Sequence, residues 1–439
     1  MFRPTRIVCL AVVLCSGISA VAQDLFSITA VGNGVNTVTA TDQDVLDLAE
    51  SAIETTGAFS SLSGQTVVST LNYGGVPNAA QITVNPAGTS ATLTFPITGF
   101  SQTFVGTDPD DLADEIEEFL LEDGSDAYAD FLRAIRERSV AAVLDGNPSA
   151  TTARLARHTF DLYGLGVNGP SWANPNHFTY AADEYNSGNV GWFEVTPTYE
   201  RIEAGDFDGD VAAINAAGGF YFSEYLGVSA GGSFAFNDLE GTDIFHSSFH
   251  VALNWAVVPL TDWDENPDDA WTNSVGWQLS PFVHSGVGAS SDAAAGGGFF
   301  GVGLASNVHL GVHDKVIVNW GTQIVYAEGV DVEFEDFDDD DDFGDEDFEF
   351  DTDLSQGIVS TGVVVTTFLD RPDGNVFLDG GASYFFFIDD AAVDYWVSPE
   401  VGLGWRFGRD SRLRFTYRPI FGNADYEAHT AGLNLVFAF

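Results

Sequence analysis

The stretch FHSSFHVALNWAV, residues 245–257, decides the fold. In an extended chain Phe245, Ser247, Phe249, Val251, Leu253, Trp255 and Val257 share one face, because successive side chains of a strand point to opposite sides. His246, Ser248, His250, Ala252, Asn254 and Ala256 share the other. One face is apolar and bulky, and the other is small and polar. A soluble sandwich also alternates, but its outward face is the polar one and its strands are about five or six residues long. Here the run is twice that length, enough to cross a bilayer when tilted.

The division recurs at Phe300, Val302, Leu304, Val308 and Leu310 against Gly301, Gly303, Ala305, Asn307 and His309. It recurs again at Val393, Tyr395, Val397, Val401, Leu403, Trp405 and Phe407 against Asp394, Trp396, Ser398, Glu400, Gly402, Gly404 and Arg406. Twelve such segments follow Val190: 190–203, 210–223, 225–238, 243–258, 274–288, 298–312, 314–328, 356–369, 374–389, 392–407, 411–422 and 427–439. Every backbone group needs a partner in lipid, so the sheet must close. The expected fold is an all-β transmembrane antiparallel barrel of about twelve strands, preceded by a small α+β N-terminal domain. Pro197 and Pro281 interrupt two of the segments.

Composition sets the compartment. Arg3 and Arg6, the apolar run Ile7–Leu14 and the small residues Ala20-Val21-Ala22 read as a secretory signal, so residues 1–22 are set aside. Cys9 and Cys15 fall inside that segment and are the only cysteines, which removes disulfides, thiol nucleophiles and thiolate metal sites. Taking Arg3 and Arg6 from the 15 basic residues leaves 13 against 65 acidic ones. Nucleic acid is thereby excluded as a partner, since phosphate binding needs a basic footprint. No later stretch approaches the roughly 18 apolar residues of a membrane-spanning helix.

The last residues, LNLVFAF, put Leu433, Leu435, Phe437 and Phe439 on one face. This resembles the C-terminal assembly signal of bacterial outer-membrane β-barrel proteins. The resemblance covers 190–439 and implies the outer membrane of a Gram-negative bacterium, with its lipid bilayer and the barrel-assembly machinery as partners. Twelve strands behind a secreted N-terminal region also resemble, more narrowly, an autotransporter translocator domain. Two functions stay open: a barrel that anchors, or also exports, its N-terminal domain, and a porin-like channel with that domain in the periplasm.

Facing the bulky set to lipid sends a charged set inward: Glu194 and Glu200 on the first strand, Asp394, Glu400 and Arg406 on the tenth, and Arg412, Arg414 and Arg418 on the eleventh. First and last strands pair in a closed barrel, so these acids and bases converge on one seam. Buried charges that pair with each other, or a pore constriction, are both consistent with that set. The inward glycines and alanines leave room for water or for an internal helix. His246 and His250 lie about 13 Å apart along a strand, too far to share a zinc ion. No G-x-S-x-G elbow and no Ser-His-Asp spacing is present. Neither catalytic residue, nor cofactor, nor metal is expected.

Residues 23–165 read as the N-terminal domain. TVVSTLNYG (66–74) and QITVNPAGTSATLTFPITGF (81–100) are hairpin strands, with Pro86-Ala87-Gly88 as a turn. Asp108-Pro109 opens a helix with Asp110, Asp111 and Glu115 at its positive end. A second helix carries Tyr128, Phe131, Leu132 and Ile135; a third, from near Ser149, carries Leu155, Phe160 and Leu162. Arg133, Arg136 and Arg138 on the second and Arg154 and Arg157 on the third are expected to pair with nearby carboxylates. Residues 166–189, rich in Gly, Asn and Pro, read as a linker.

One stretch stands apart: DVEFEDFDDDDDFGDEDFEFDTD, residues 331–353, holds fifteen carboxylates and five phenylalanines. An EF-hand register on Gly344 puts Phe343 and Phe350 where oxygen ligands are required, so that reading fails. Between strands seven and eight it becomes the longest surface loop, its ends continuing as a hairpin. Weak, non-specific binding of divalent cations there stays open.

Overall fold

A computed structural model describes residues 25–439 apart from 121–124, 140–141, 144–145, 167–189, 206, 224, 263–273, 291, 294, 314–315, 331, 335–347, 351–354, 370–375, 408–410 and 439. The signal segment, the linker from 167, most of the acidic stretch and Phe439 therefore lie outside the described residues.

The N-terminal region builds a six-stranded antiparallel sheet from β1 (Phe26–Gly32), β2 (Asn36–Asp42), β3 (Val67–Tyr73), β4 (Val76–Val84), β5 (Ser90–Phe95) and β6 (Phe100–Val105), in the order β2-β1-β3-β4-β5-β6. Alternation buries Phe26, Ile28, Ala30, Leu93 and Phe95 on one face. Three helices cover it: α1 (Val45–Glu54), α2 (Pro109–Glu118) and α3 (Ser125–Arg136). Asp44 caps α1 by accepting from Leu46 N at 2.8 Å and Asp47 N at 3.1 Å. Asp108 caps α2 from Asp111 N at 3.1 Å, with Pro109 in the first turn as the sequence requires. Aromatic rings fill the centre: Phe95 stacks on Phe131 at 4.5 Å, and Tyr73 meets Phe131 edge-on at 5.9 Å.

Twelve strands close the barrel: β7 (Val190–Ala204), β8 (Phe207–Tyr221), β9 (Leu226–Leu239), β10 (Thr242–Asp262), β11 (Ser274–Ser290), β12 (Ala295–His313), β13 (Val316–Val330), β16 (Ser355–Phe368), β17 (Val376–Phe387), β18 (Tyr395–Phe407), β19 (Ser411–Gly422) and β20 (Tyr426–Ala438). Between β13 and β16 lies a separate small hairpin of β14 (Val332–Phe334) and β15 (Phe348–Phe350), paired Val332↔Phe350. The acidic stretch thus does continue as a hairpin at both its ends. All neighbouring strands are antiparallel, and β20 closes on β7 with Tyr426 opposite Ala204 and Val436 opposite Glu194. Pro197 and Pro281 stay in register, opposite Ile214 and Leu304, with exposed outward side chains. The register shifts of β10 fall between Ala256 and Thr261, around Pro259, which cannot donate to a ladder.

The outer face is as apolar as the alternation demands. Phe249, Val302, Trp320 and Val401 are each more than half exposed to the surroundings. No described helix is long and apolar enough to cross a membrane.

One element lies elsewhere than periodicity alone suggests. The third helix, α4 (Thr151–Thr159), continued by a π-helical turn Phe160–Gly164, sits inside the barrel and not on the N-terminal sheet. All nine residues of α4 are buried. Its apolar side chains pack on the wall, Leu155 against Phe299 and Ala327, and Phe160 edge-on to Phe385 at 5.4 Å. Its charges find partners on the same wall, which is why an amphipathic stripe alone misplaces it.

Candidate functional site: the occupied lumen

The barrel has two ends. At the proximal end β7 begins, and the connections 222–225, 263–273, 314–315, 369–375 and 408–410 lie there. The distal end carries 205–206, 240–241, 291–294, the long 331–354, 388–394 and 423–425. The chain enters the lumen at the distal end, where the Ser149 hydroxyl is bonded to that of Tyr426 and Thr151 Oγ1 lies 2.6 Å from His246 Nδ1. Thr152 donates to Gln356 Oε1 at 2.9 Å. Farther down, Gln323 donates to the Ala156 carbonyl at 3.0 Å, and Asn307 to the Gly164 carbonyl at 2.7 Å. Near the proximal end Ser229 donates to the Tyr163 hydroxyl at 3.0 Å. Gly321 lets the helix approach the wall closely: a Cβ there would collide with the Gly164 carbonyl.

Two ionic clusters fasten the helix to the β7–β20 side. Glu200 receives Arg154 Nη2 at 3.0 Å, Arg157 Nη1 at 2.8 Å and the Thr430 hydroxyl at 2.6 Å. Arg418 grips Asp161 through two parallel bonds of 2.8 and 2.9 Å, the bidentate geometry of a guanidinium on a carboxylate. It also donates to Glu400, through Nε at 2.7 Å. Arg414 joins Glu400 to Asp379, the latter at 2.6 Å. Four arginines thus meet four carboxylates, and a strongly acidic chain is locally neutral where charge is buried. Any member removed alone leaves its buried cluster with a charge imbalance.

Most of the charged side chains marked in the sequence meet here. Glu200, Glu400, Arg414 and Arg418 belong to the clusters. Glu194 and Arg412 are linked through Asn434, which receives Arg412 Nη2 at 2.8 Å and donates to Glu194 at 2.7 Å. Arg406 is buried opposite Arg412. Asp394 is the exception: β18 starts at Tyr395, so inward parity does not reach it, and its exposed carboxylate takes Asn423 Nδ2 at 3.2 Å. Arg154, Arg157, Asp161, Asp379 and Thr430 belong to the site without having been marked for it. Arg154 and Arg157 were visible as basic residues in an acidic chain, but nothing local tells which element holds their carboxylate.

His246 and His250 serve different neighbours. His246 lies between Thr151 and Asn237, and His250 meets His158 at 5.2 Å and Tyr163 at 5.5 Å, ring to ring. Among the described residues no group of three or more His, Cys, Asp or Glu is placed to hold a metal ion. A polar cavity of ≈ 60 Å³ remains beside the helix, lined by Arg157, His158, Asp161, Thr196, Asn215 and Ser233 among others.

A closed antiparallel barrel of twelve membrane-length strands, apolar outside and polar within, has one setting in a bacterial envelope. The chain is an outer-membrane β-barrel. No protein-family model and no curated protein matches its sequence. Among solved structures it is similar to the translocator domain of the autotransporter NalP from Neisseria meningitidis, at 12% identity over 59% of this chain and 92% of that one, TM-score 0.37. It is similar to the β domain of the Bordetella autotransporter BrkA, at 11% identity over 57% and 99%, TM-score 0.39. It is also similar to the monoaromatic hydrocarbon channel CymD, at 10% identity over 63% and 97%, TM-score 0.33. The neighbours include translocator domains and channels alike.

Proposed function

We propose that the protein is an autotransporter-type barrel that anchors its N-terminal sheet domain, residues 24–139, on the outside of the cell after passing it through the lumen. The observation that carries this is the thread of the chain. The sheet domain is at the distal end, α4 runs down the lumen, and β7 starts from the proximal end. A chain that enters from the proximal side and leaves its N-terminal part on the far side has this course.

The distal end reads as extracellular because the longest connection of the barrel, between β13 and β16, leaves from it. Leu433, Leu435 and Phe437 on β20 offer the outward apolar side chains by which the barrel-assembly machinery would recognise the strand. Weak divalent-cation binding at 331–353 belongs to the same side. In this reading the protein has no catalytic activity. A protease site inserted after Val35, in the exposed β1–β2 turn, is expected to be cut by protease added to intact cells. Protection in intact cells and cleavage only after permeabilisation would instead place the domain in the periplasm, as the channel reading requires.

A further inference from the structure

One hydrophobic cluster runs from the N-terminal sheet into the rim of the barrel. Phe26, Tyr73 and Phe131 share it with Leu239, Ile244, Ala293 and Ala295, at the distal tips of β9 to β12. Phe207 of β8 packs on the same cluster and lies against Gly75. Polar groups cross as well. The Tyr73 hydroxyl donates to the Ala293 carbonyl at 2.6 Å in a buried position. Thr242 donates to the Gln43 carbonyl at 3.1 Å. Val45 N, an amide of the first turn of α1 and so without a partner inside its own helix, donates to the Asp292 carbonyl at 2.9 Å.

The opposite side of the mouth is held too. Val393 N donates to the Gly146 carbonyl at 3.0 Å, and Tyr426 is bonded to Ser149. The sheet rests on β8 to β12, while the segment leaving it is pinned beside β18 and β20. The domain therefore bridges the mouth.

We infer that the distal rim is a permanent seat for the N-terminal domain: the domain completes its core on the barrel and remains there as a fixed cap, not as a released product. The inference deepens the proposed function and rests on it only for the side of the membrane that the cap faces. Physically, a domain of this size buries a modest core and expects no disulfide to reinforce it. Lifting it off would expose Tyr73, Leu239 and Ile244 and strip the partners from Val45 N and the Tyr73 hydroxyl, so removal and unfolding are coupled.

The test uses the full chain. Leu239→Asp alters a rim side chain outside the N-terminal sequence, and the heat-modifiable gel band reports whether the barrel itself still forms. Hydrogen exchange at β1 and β3 is expected to become about a hundredfold faster while the barrel band is retained; unchanged protection of those strands overturns the seat. A second variant does not depend on destabilisation. A Cβ on Gly241 would lie 3.8 Å from that of Gln43, within the disulfide range, and the strain of a side chain at its φ of +86° falls on an exposed turn, so Gln43→Cys with Gly241→Cys is expected to cross-link most molecules under oxidation, with the retained barrel band as the folding control. Cross-linking confined to a minor fraction overturns the seat. Both readouts are indifferent to which side of the membrane the domain occupies, so their failure is distinct from failure of the display reading.

Discussion

Arg418, on the barrel wall, and Asp161, in the luminal helical segment, are joined by two parallel hydrogen bonds across 257 residues of chain. The bond matters because Arg418 simultaneously serves Glu400. Arg418→Ala leaves two carboxylates buried with one cation fewer, and breaking a buried pair from one side costs about 3–5 kcal/mol. The temperature at which the unboiled gel band converts to the unfolded form should drop clearly. Arg418→Lys, a point charge that cannot make both parallel bonds, should fall between the two.

Glu200 holds two arginines of the helix, so its effect is not additive with theirs. The triple variant Glu200→Ala, Arg154→Ala, Arg157→Ala is expected to lose less stability than the sum of the losses from Glu200→Ala and from the Arg154→Ala, Arg157→Ala pair. A coupling of about 0.5–3 kcal/mol in denaturant unfolding measures the cluster, and strict additivity would show that the pairs act independently.

Gly321 lies where the luminal segment meets the barrel wall. Gly321→Leu places a side chain where the Gly164 carbonyl lies, so the lower part of the helix cannot seat. The barrel, whose strand ladder is untouched, should still form. In planar bilayers the wild type is expected to be silent or nearly so, and the variant to conduct. Equal conductance of the two would mean that the helix is not the stopper.

The acidic loop is expected to be dispensable. Deleting 336–347 removes five consecutive aspartates, 338–342, and cuts the β14–β15 connection to Glu335 alone, so that small hairpin is lost with it while the barrel strands are untouched. Barrel folding should be unchanged. Calcium titration should lose its weak phase relative to the wild type, and equal binding would remove the cation proposal.

Much of the barrel was legible because its physics is local. Phe245 to Val257 alternate for a reason that depends only on lipid outside and polar interior, and each of the twelve expected segments overlaps one observed strand. Parity also carried Glu200, Glu400, Arg414 and Arg418 inward, but it did not reach Asp394, which lies just before the strand begins. Strands β1 and β2 were readable in principle: Asn33-Gly34 is a hairpin turn, both residues have positive φ, and FSITAVG alternates before it. What no local rule reaches is the place of α4. A helix with Leu155 and Phe160 on one side and Arg154, Arg157 and Asp161 on others would suit a small α+β domain equally well. Only the three-dimensional positions of Glu200 and Arg418 show that its charges belong to the barrel. Long-range pairing is the information that periodicity discards.

In the proposed course of the chain the domain lies outside, the helix runs through the lumen and the first strand starts from the periplasmic side. Single cysteines at Val35, 81% exposed on the N-terminal sheet, and at Tyr225, 48% exposed in a proximal turn, report the two sides of the membrane. With a membrane-impermeant maleimide on intact cells, Val35→Cys is expected to be labelled and Tyr225→Cys not, with both labelled after permeabilisation. Labelling of Tyr225→Cys with protection of Val35→Cys in intact cells would contradict that course.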